Sequence, residues 1–483
     1  MSTENLTPGA LPQLSKEETS SHSATETNSV DEKASNGQAY QESAKDIEAA
    51  GILAEAPIVT YPEGGLQGWA TVLGACCVQF CGFGYTSSFG VYQDYYARVY
   101  LTHYSSSAIS WIGSTAVFIG IGGGVLSGQL FDRGHFKFTV YSGAFMISFG
   151  LFMLSLAKPG AYYQIILAQG ICTGIGVGLI YVPSVVVVSH YFHQKRTLAM
   201  SIVACGAALG SIVHPIMLNN TLHSSLGFGN SVRASAGVVT AMLVLACALM
   251  RTRLPPPKVT VPIVPAMKKF ARDGAYMCAS LALFFVAIGF YYTLYYLQLN
   301  AALHHVDRSF AFYSLVILNA CQLLGRLATA FVAQRFGAPL VIMASSGCCA
   351  AIVWGMIGIH SPTSVVLVGV FFGFFAGAYQ ALEAPLVAVL SDDVSEIGAR
   401  MGIALSFLAV GALIGKLYFL LPFNRKDTNC PLGSPICGAL LTHKYIWWKA
   451  TLFASIMMLT GCAFFVASCV ILRRRGKLHP KKA

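Results

Sequence analysis

The chain has 483 residues, 55% of them hydrophobic and 11% charged, with a mean hydropathy of +0.62. A water-soluble domain carries about 25% charged residues, so the composition excludes one and calls for a polytopic protein whose first partner is the lipid bilayer. The net charge of +11 sits in short loops and the C-terminal tail instead of on one patch, so no nucleic-acid partner is expected.

In chain order, residues 1–60 are acidic, rich in Ser, Thr, Glu and Asn, and poor in large apolar side chains. Such a segment buries too little surface to offset its ordering entropy and reads as a disordered cytoplasmic tail. Residues 61–250 then hold six apolar runs, at 69–92, 108–130, 138–157, 161–186, 197–218 and 231–249. Residues 251–275 are Pro-rich and basic and read as a cytoplasmic linker. Residues 276–472 hold six more runs, at 276–299, 309–333, 339–359, 363–389, 401–421 and 447–472, before a basic tail at 473–483. Each run is long enough to cross a hydrocarbon core of ~30 Å. The expected fold is all-α, with twelve transmembrane helices in two pseudo-symmetric six-helix bundles.

Basic residues fix the expected orientation. Arg133, Lys137, Lys195, Arg196, Lys268, Lys269, Arg335 and Arg400 share one side with both termini, which is therefore read as cytoplasmic. The plasma membrane is the expected location, with a vacuolar or other organelle membrane as the alternative. On the outer side, Asn219-Asn220-Thr221 is a glycosylation sequon near the end of the fifth run. Cys430 and Cys437 share an outer loop, where either a disulfide or two free thiols is compatible with the sequence. The other cysteines lie mostly in apolar runs as small hydrophobes.

Polar residues inside the runs are the candidates for function, because a charge within the bilayer is costly unless it faces protein or a water-filled cavity. Arg326 is a permanent charge deep in the eighth run. Asn319 and Gln322 accompany it, with Tyr291, Tyr292 and Tyr295 in the seventh run, Tyr379 and Glu383 in the tenth, and Gln79, Gln169 and Tyr181 in the first and fourth. At ~1.5 Å per helical residue, Arg326 and Glu383 agree in depth within a turn, so they are expected to form a charge pair. By the same rise, Lys416 in the eleventh run lies roughly 15 Å nearer the outside and is assigned to the outer vestibule.

The loop "GQLFDRGHFK" after the second run aligns weakly with "AFVAQRFGAP" after the eighth, at the same place in each half. The first of these resembles the signature loop of the major facilitator superfamily. The resemblance implies that Gly128 permits close packing and that Asp132 and Arg133 hold the cytoplasmic gate. It also implies a cavity lined by helices 1, 4, 7, 8, 10 and 11. Within the superfamily, "PEGGLQGW" (62–69) and "YFHQKRTLAMSIVACGAALGS" (191–211) resemble the first- and fifth-helix motifs of monocarboxylate porters, in their fungal branch. In the second half the likeness rests on "LLGRLATAFVAQRFG". The family's aspartate one turn before the eighth-helix arginine is Gln322 here, and its first-helix lysine falls at Ser87 or a neighbour.

The leading expectation is a secondary active transporter of a monocarboxylate or related small organic anion, since arginine can clamp a carboxylate bidentately. Arg326, Asn319, Gln322, Tyr291, Tyr292 and Tyr379 would form the substrate site. Glu383 would take any coupled proton in place of the missing aspartate. The alternative is efflux of a larger secondary metabolite, which the altered charge set favours. A transporter-fold nutrient sensor ranks third. An enzyme, a cofactor and a metal centre are not expected: the chain has neither His-Glu-x-x-His nor a Gly-x-x-x-x-Gly-Lys-Ser/Thr loop.

Overall fold

A computed structural model describes residues 61–255, 263–303, 308–359, 361–391, 393–417 and 447–476. Among these residues, twelve helices are long and apolar enough to cross a membrane, and there is no strand. The first six are α1 Gly65–Tyr100, α2 Ala108–Asp132, α3 Phe136–Leu154, α4 Tyr162–His190, α5 Arg196–Leu222 and α6 Gly227–Leu249. The second six are α7 Gly274–Leu294, α8 Tyr313–Phe336, α9 Ala338–Gly358, α10 Pro362–Leu390, α11 Val394–Ile414 and α12 Trp448–Arg474.

Local sequence sets several helix starts. Ser105 accepts the Ala108 N–H at 3.2 Å ahead of α2, and Ser361 and Ser364 form a reciprocal cap that starts α10 with Pro362 in its first turn. Phe138, Phe145, Phe149 and Phe331 are exposed, as side chains facing lipid would be. The helix α1 outruns the expected 69–92 at both ends and contains two π-helical turns, Phe80–Gly84 and Tyr96–Tyr100.

Helices α1 to α6 pack mainly on one another, as do α7 to α12, and the two sets meet where α2 touches α11 and where α5 touches α8 and α10. Small residues set these contacts. A Cβ at Gly206 would collide with the Cys76 carbonyl oxygen of α1, and one at Gly377 with the Gln322 carbonyl oxygen of α8. Close backbone approach of this kind is how helices associate where water supplies no driving force.

The segment read as a linker carries a short helix, Ile263–Ala271, with Ala266 and Phe270 buried and Lys268 exposed. Next to it, Asp273 accepts from Arg400 at 3.1 Å and from Arg475 at 2.8 Å, while Lys269 pairs with Glu396. Burial opposes ionisation of Asp273, but the two guanidinium groups outweigh it and hold the carboxyl below its usual range. The cluster ties together the bases of α7, α11 and α12.

A second clasp precedes α1. Glu63, at a positive φ of 48°, accepts the backbone N–H groups of His193 at 2.8 Å, Gln194 at 2.7 Å and Lys195 at 3.1 Å. Partial burial raises its pKa, but those three donors at the start of α5 lower it further, for a net depression. Left-handed backbone at a non-glycine residue is strained, and the three bonds hold it in place.

Candidate functional site

The helices α5, α8 and α10 converge on Arg326. Gly373 and Gly377 let α10 approach α8, which places Gln380 beside Arg326. The guanidinium Nη2 donates to Gln380 Oε1 at 2.6 Å, and Nη1 donates to the Ala204 carbonyl oxygen of α5 in the opposite bundle. Arg326 is only 6% exposed, and its Nε has no hydrogen-bond partner. Glu383, one turn beyond Gln380, lies near enough to act on the guanidinium electrostatically but makes no direct ion pair with it. The expected Arg326–Glu383 pair is thus replaced by a neutral amide. Gln380 lies one turn from Glu383 on α10 and takes the bond to the guanidinium.

Tyr181 of α4 lies near both Arg326 and Glu383 and packs edge-on against Phe83 of α1, at 4.6 Å between ring centroids. Tyr181, Gln380 and Glu383 are all half-buried. Outward of Arg326, Asn319 donates to the Ser211 carbonyl oxygen of α5 at 3.3 Å, and the Ser211 hydroxyl donates to the exposed Ser87 at 2.8 Å.

Other expected substrate residues lie elsewhere. The Tyr292 hydroxyl is buried against Thr451 of α12 at 2.9 Å, which makes it an internal bond of its bundle. Tyr379 is 2% exposed among Phe290 and Phe465, with its hydroxyl unpartnered. Gln322 is buried where its own backbone meets Gly377. Tyr291 is half-buried beside Phe290. Lys416 falls in the last turn of a helix running Ile397–Leu417, and its side chain lies outside what is described. Cys430 and Cys437 also lie outside the described residues. Asn219 sits within α5, not in a loop, which removes the surface-loop setting a sequon needs.

The bundles close on each other at the Asp132 end. Asp132, in the last turn of α2, accepts the N–H groups of Gly398 at 3.2 Å and Ala399 at 2.7 Å in the first turn of α11. These are orphan donors at the positive end of a helix, where a carboxylate is favoured. A Cβ at Gly128 would collide with the Gly398 carbonyl oxygen, and one at Gly402 with that of Gly124. Arg133 is exposed, whereas Asp132, Gly128 and Gly124 lie within this contact. Arg196 adds a bond from Nη2 to the Ala388 carbonyl oxygen at 2.8 Å.

A family description of the Major Facilitator Superfamily matches residues 71–416. The chain belongs to this superfamily. It is 33% identical to the Aspyridones efflux protein apdF of Emericella nidulans over 86% of this chain and 81% of that protein. It is 32% identical to the Fujikurins efflux protein of Gibberella fujikuroi, over 84% and 83% respectively. Among solved structures, the proton:xylose symporter XylE superposes with a TM-score of 0.65 at 14% identity, covering 83% of this chain and 95% of that one. The superfamily fold accounts for the two six-helix sets, and the chain is a major facilitator transporter. Its relatives are fungal efflux proteins, not specifically the monocarboxylate porters that the first- and fifth-helix motifs resemble.

Proposed function

We propose that this transporter exports a fungal secondary metabolite by alternating access. The observation that carries the reading is the state of Arg326. Its two terminal nitrogens are engaged by Ala204 and Gln380, and its side chain is almost wholly covered. A small monocarboxylate needs an open guanidinium edge for bidentate binding. The half-buried residues around Arg326 are mostly uncharged, with Phe83 packed on Tyr181, Gln380 beside the guanidinium, Asn319 bonded to Ser211, and Glu383 as the acidic group. Aromatic faces with a few placed polar groups suit a larger, partly apolar solute. The efflux names of the relatives support the same reading.

In this reading the Asp132 end is cytoplasmic, the plasma membrane is crossed, and Glu383 carries the proton that drives export. Glu383 faces Arg326 of α8 and Tyr181 of α4, with Tyr379 on its own helix. The test is expression in a fungal host that makes a secondary metabolite and lacks its own exporter. Extracellular product should rise and intracellular product fall. An unchanged partition, with the protein present in the membrane, would rule the reading out.

A further inference from the structure

Among the described residues, four side-chain hydrogen bonds to backbone carbonyls join α5 to the opposite bundle. From the Asp132 end outward they are Arg196 to Ala388, Ser201 to Ala381, Arg326 to Ala204, and Asn319 to Ser211. In a regular helix an interior carbonyl is already taken by the N–H four residues on. Ala388 is free because it lies in the last turn of α10. Ser211 and Ala381 are free for another reason. Pro215 lies inside α5 and Pro385 inside α10, each four residues after the accepting carbonyl. Proline has no N–H, so neither oxygen has its helical donor.

The donors fit the same reading. Serine and threonine within membrane helices usually bond back to the carbonyl four residues earlier, as Thr86 does to Gly82 and Thr329 to Gly325 here. Ser201, wholly buried, instead sends its hydroxyl across the seam to Ala381 at 3.4 Å. Asn319 sends its amide the opposite way, from α8 to Ser211 of α5.

We propose that Pro215 and Pro385 are positioning residues for the transport cycle, each exposing one carbonyl that the opposite bundle grips. The two grips are reciprocal: one proline-freed oxygen is on each bundle, and each donor is on the other. Such a bond is released without breaking any helical ladder, because the oxygen was never part of one. When the seam parts, water entering the cavity takes the donor's place. The inference rests on the transport reading for its purpose, while the bonds themselves are independent of substrate.

The experiment is a double-mutant cycle read by hydrogen–deuterium exchange on the full chain in lipid nanodiscs, without substrate. The reporter is the set of amides at the start of α11, which the closed Asp132 end protects. Ser201→Ala and Pro385→Ala should each speed exchange about three- to tenfold, the factor for one ordinary hydrogen bond. The double variant should be no faster than the quicker single one. Asn319→Ala with Pro215→Ala repeats the cycle at the half-buried donor farthest from the Asp132 end, read there on the α5 amides around Ser211. Exchange rates that multiply in both cycles, or singles indistinguishable from wild type, would overturn the proposal. A lack of export by the wild-type chain would instead remove the transport reading, whatever the cycles show.

Discussion

The Arg326 guanidinium bridges the two bundles, donating to the Ala204 carbonyl oxygen across the seam and to Gln380 Oε1 at 2.6 Å on its own side. The two acceptors are reached from two separate nitrogens held in one plane, and the single nitrogen of an ammonium does not reproduce that spacing. Arg326→Lys should therefore lower export by about tenfold with membrane levels unchanged, and Gln380→Ala should lower it less. Efflux assays normalised to protein in the membrane check both.

Gly128 meets the backbone of α11 with no room for a methyl group, whereas a Cβ at Gly237 of α6 has nothing within 4 Å. Gly128→Ala should force the Asp132 end apart and cut export by about tenfold or more. Gly237→Ala should leave export unchanged and raise thermal stability by up to about 1 kcal/mol, since alanine favours helix. Flux and melting temperatures of the two purified variants separate these outcomes.

Much of this was legible in the chain. Span number follows from hydropathy, so the helices emerge where expected, and Gly128, read from its loop motif, meets the backbone of α11 closely. The depth of Arg326 was also readable, but the identity of its neighbour was not. Gln380 and Glu383 share a helix face three residues apart, and only the register of α8 against α10 selects between them. A scan for uncharged acceptors one turn from Glu383 would have found Gln380. The Glu63 clasp and the Asp273 cluster were out of reach for a different reason. Each joins segments more than a hundred residues apart, through loops whose pairing no periodicity encodes.

Glu63 gives a pH prediction with a definite sign. Its pKa is depressed in the folded chain, so the stability it contributes is present above the ordinary glutamate value of about 4.3 and is lost as pH falls through the lower folded value. Glu63→Gln should cost about 1–2 kcal/mol near neutrality and remove this acid-sensitive component. Unfolding of the two proteins in detergent from pH 3.5 to 7 should converge at the acid end.

Glu383 is the acidic group within electrostatic reach of Arg326. If it carries the driving proton, Glu383→Gln should abolish accumulation against a gradient while leaving downhill exchange of the solute. Export that still follows an imposed pH gradient in that variant would assign the proton elsewhere. Vesicles with and without the gradient provide the comparison.

The most direct test of export is two-way flux in sealed vesicles holding the purified protein, offered labelled lactate, pyruvate and a fungal secondary metabolite in parallel. Saturable movement of the metabolite, with lactate and pyruvate at the rate of empty vesicles, is the predicted result. Saturable transport of lactate or pyruvate with no movement of the metabolite would contradict it.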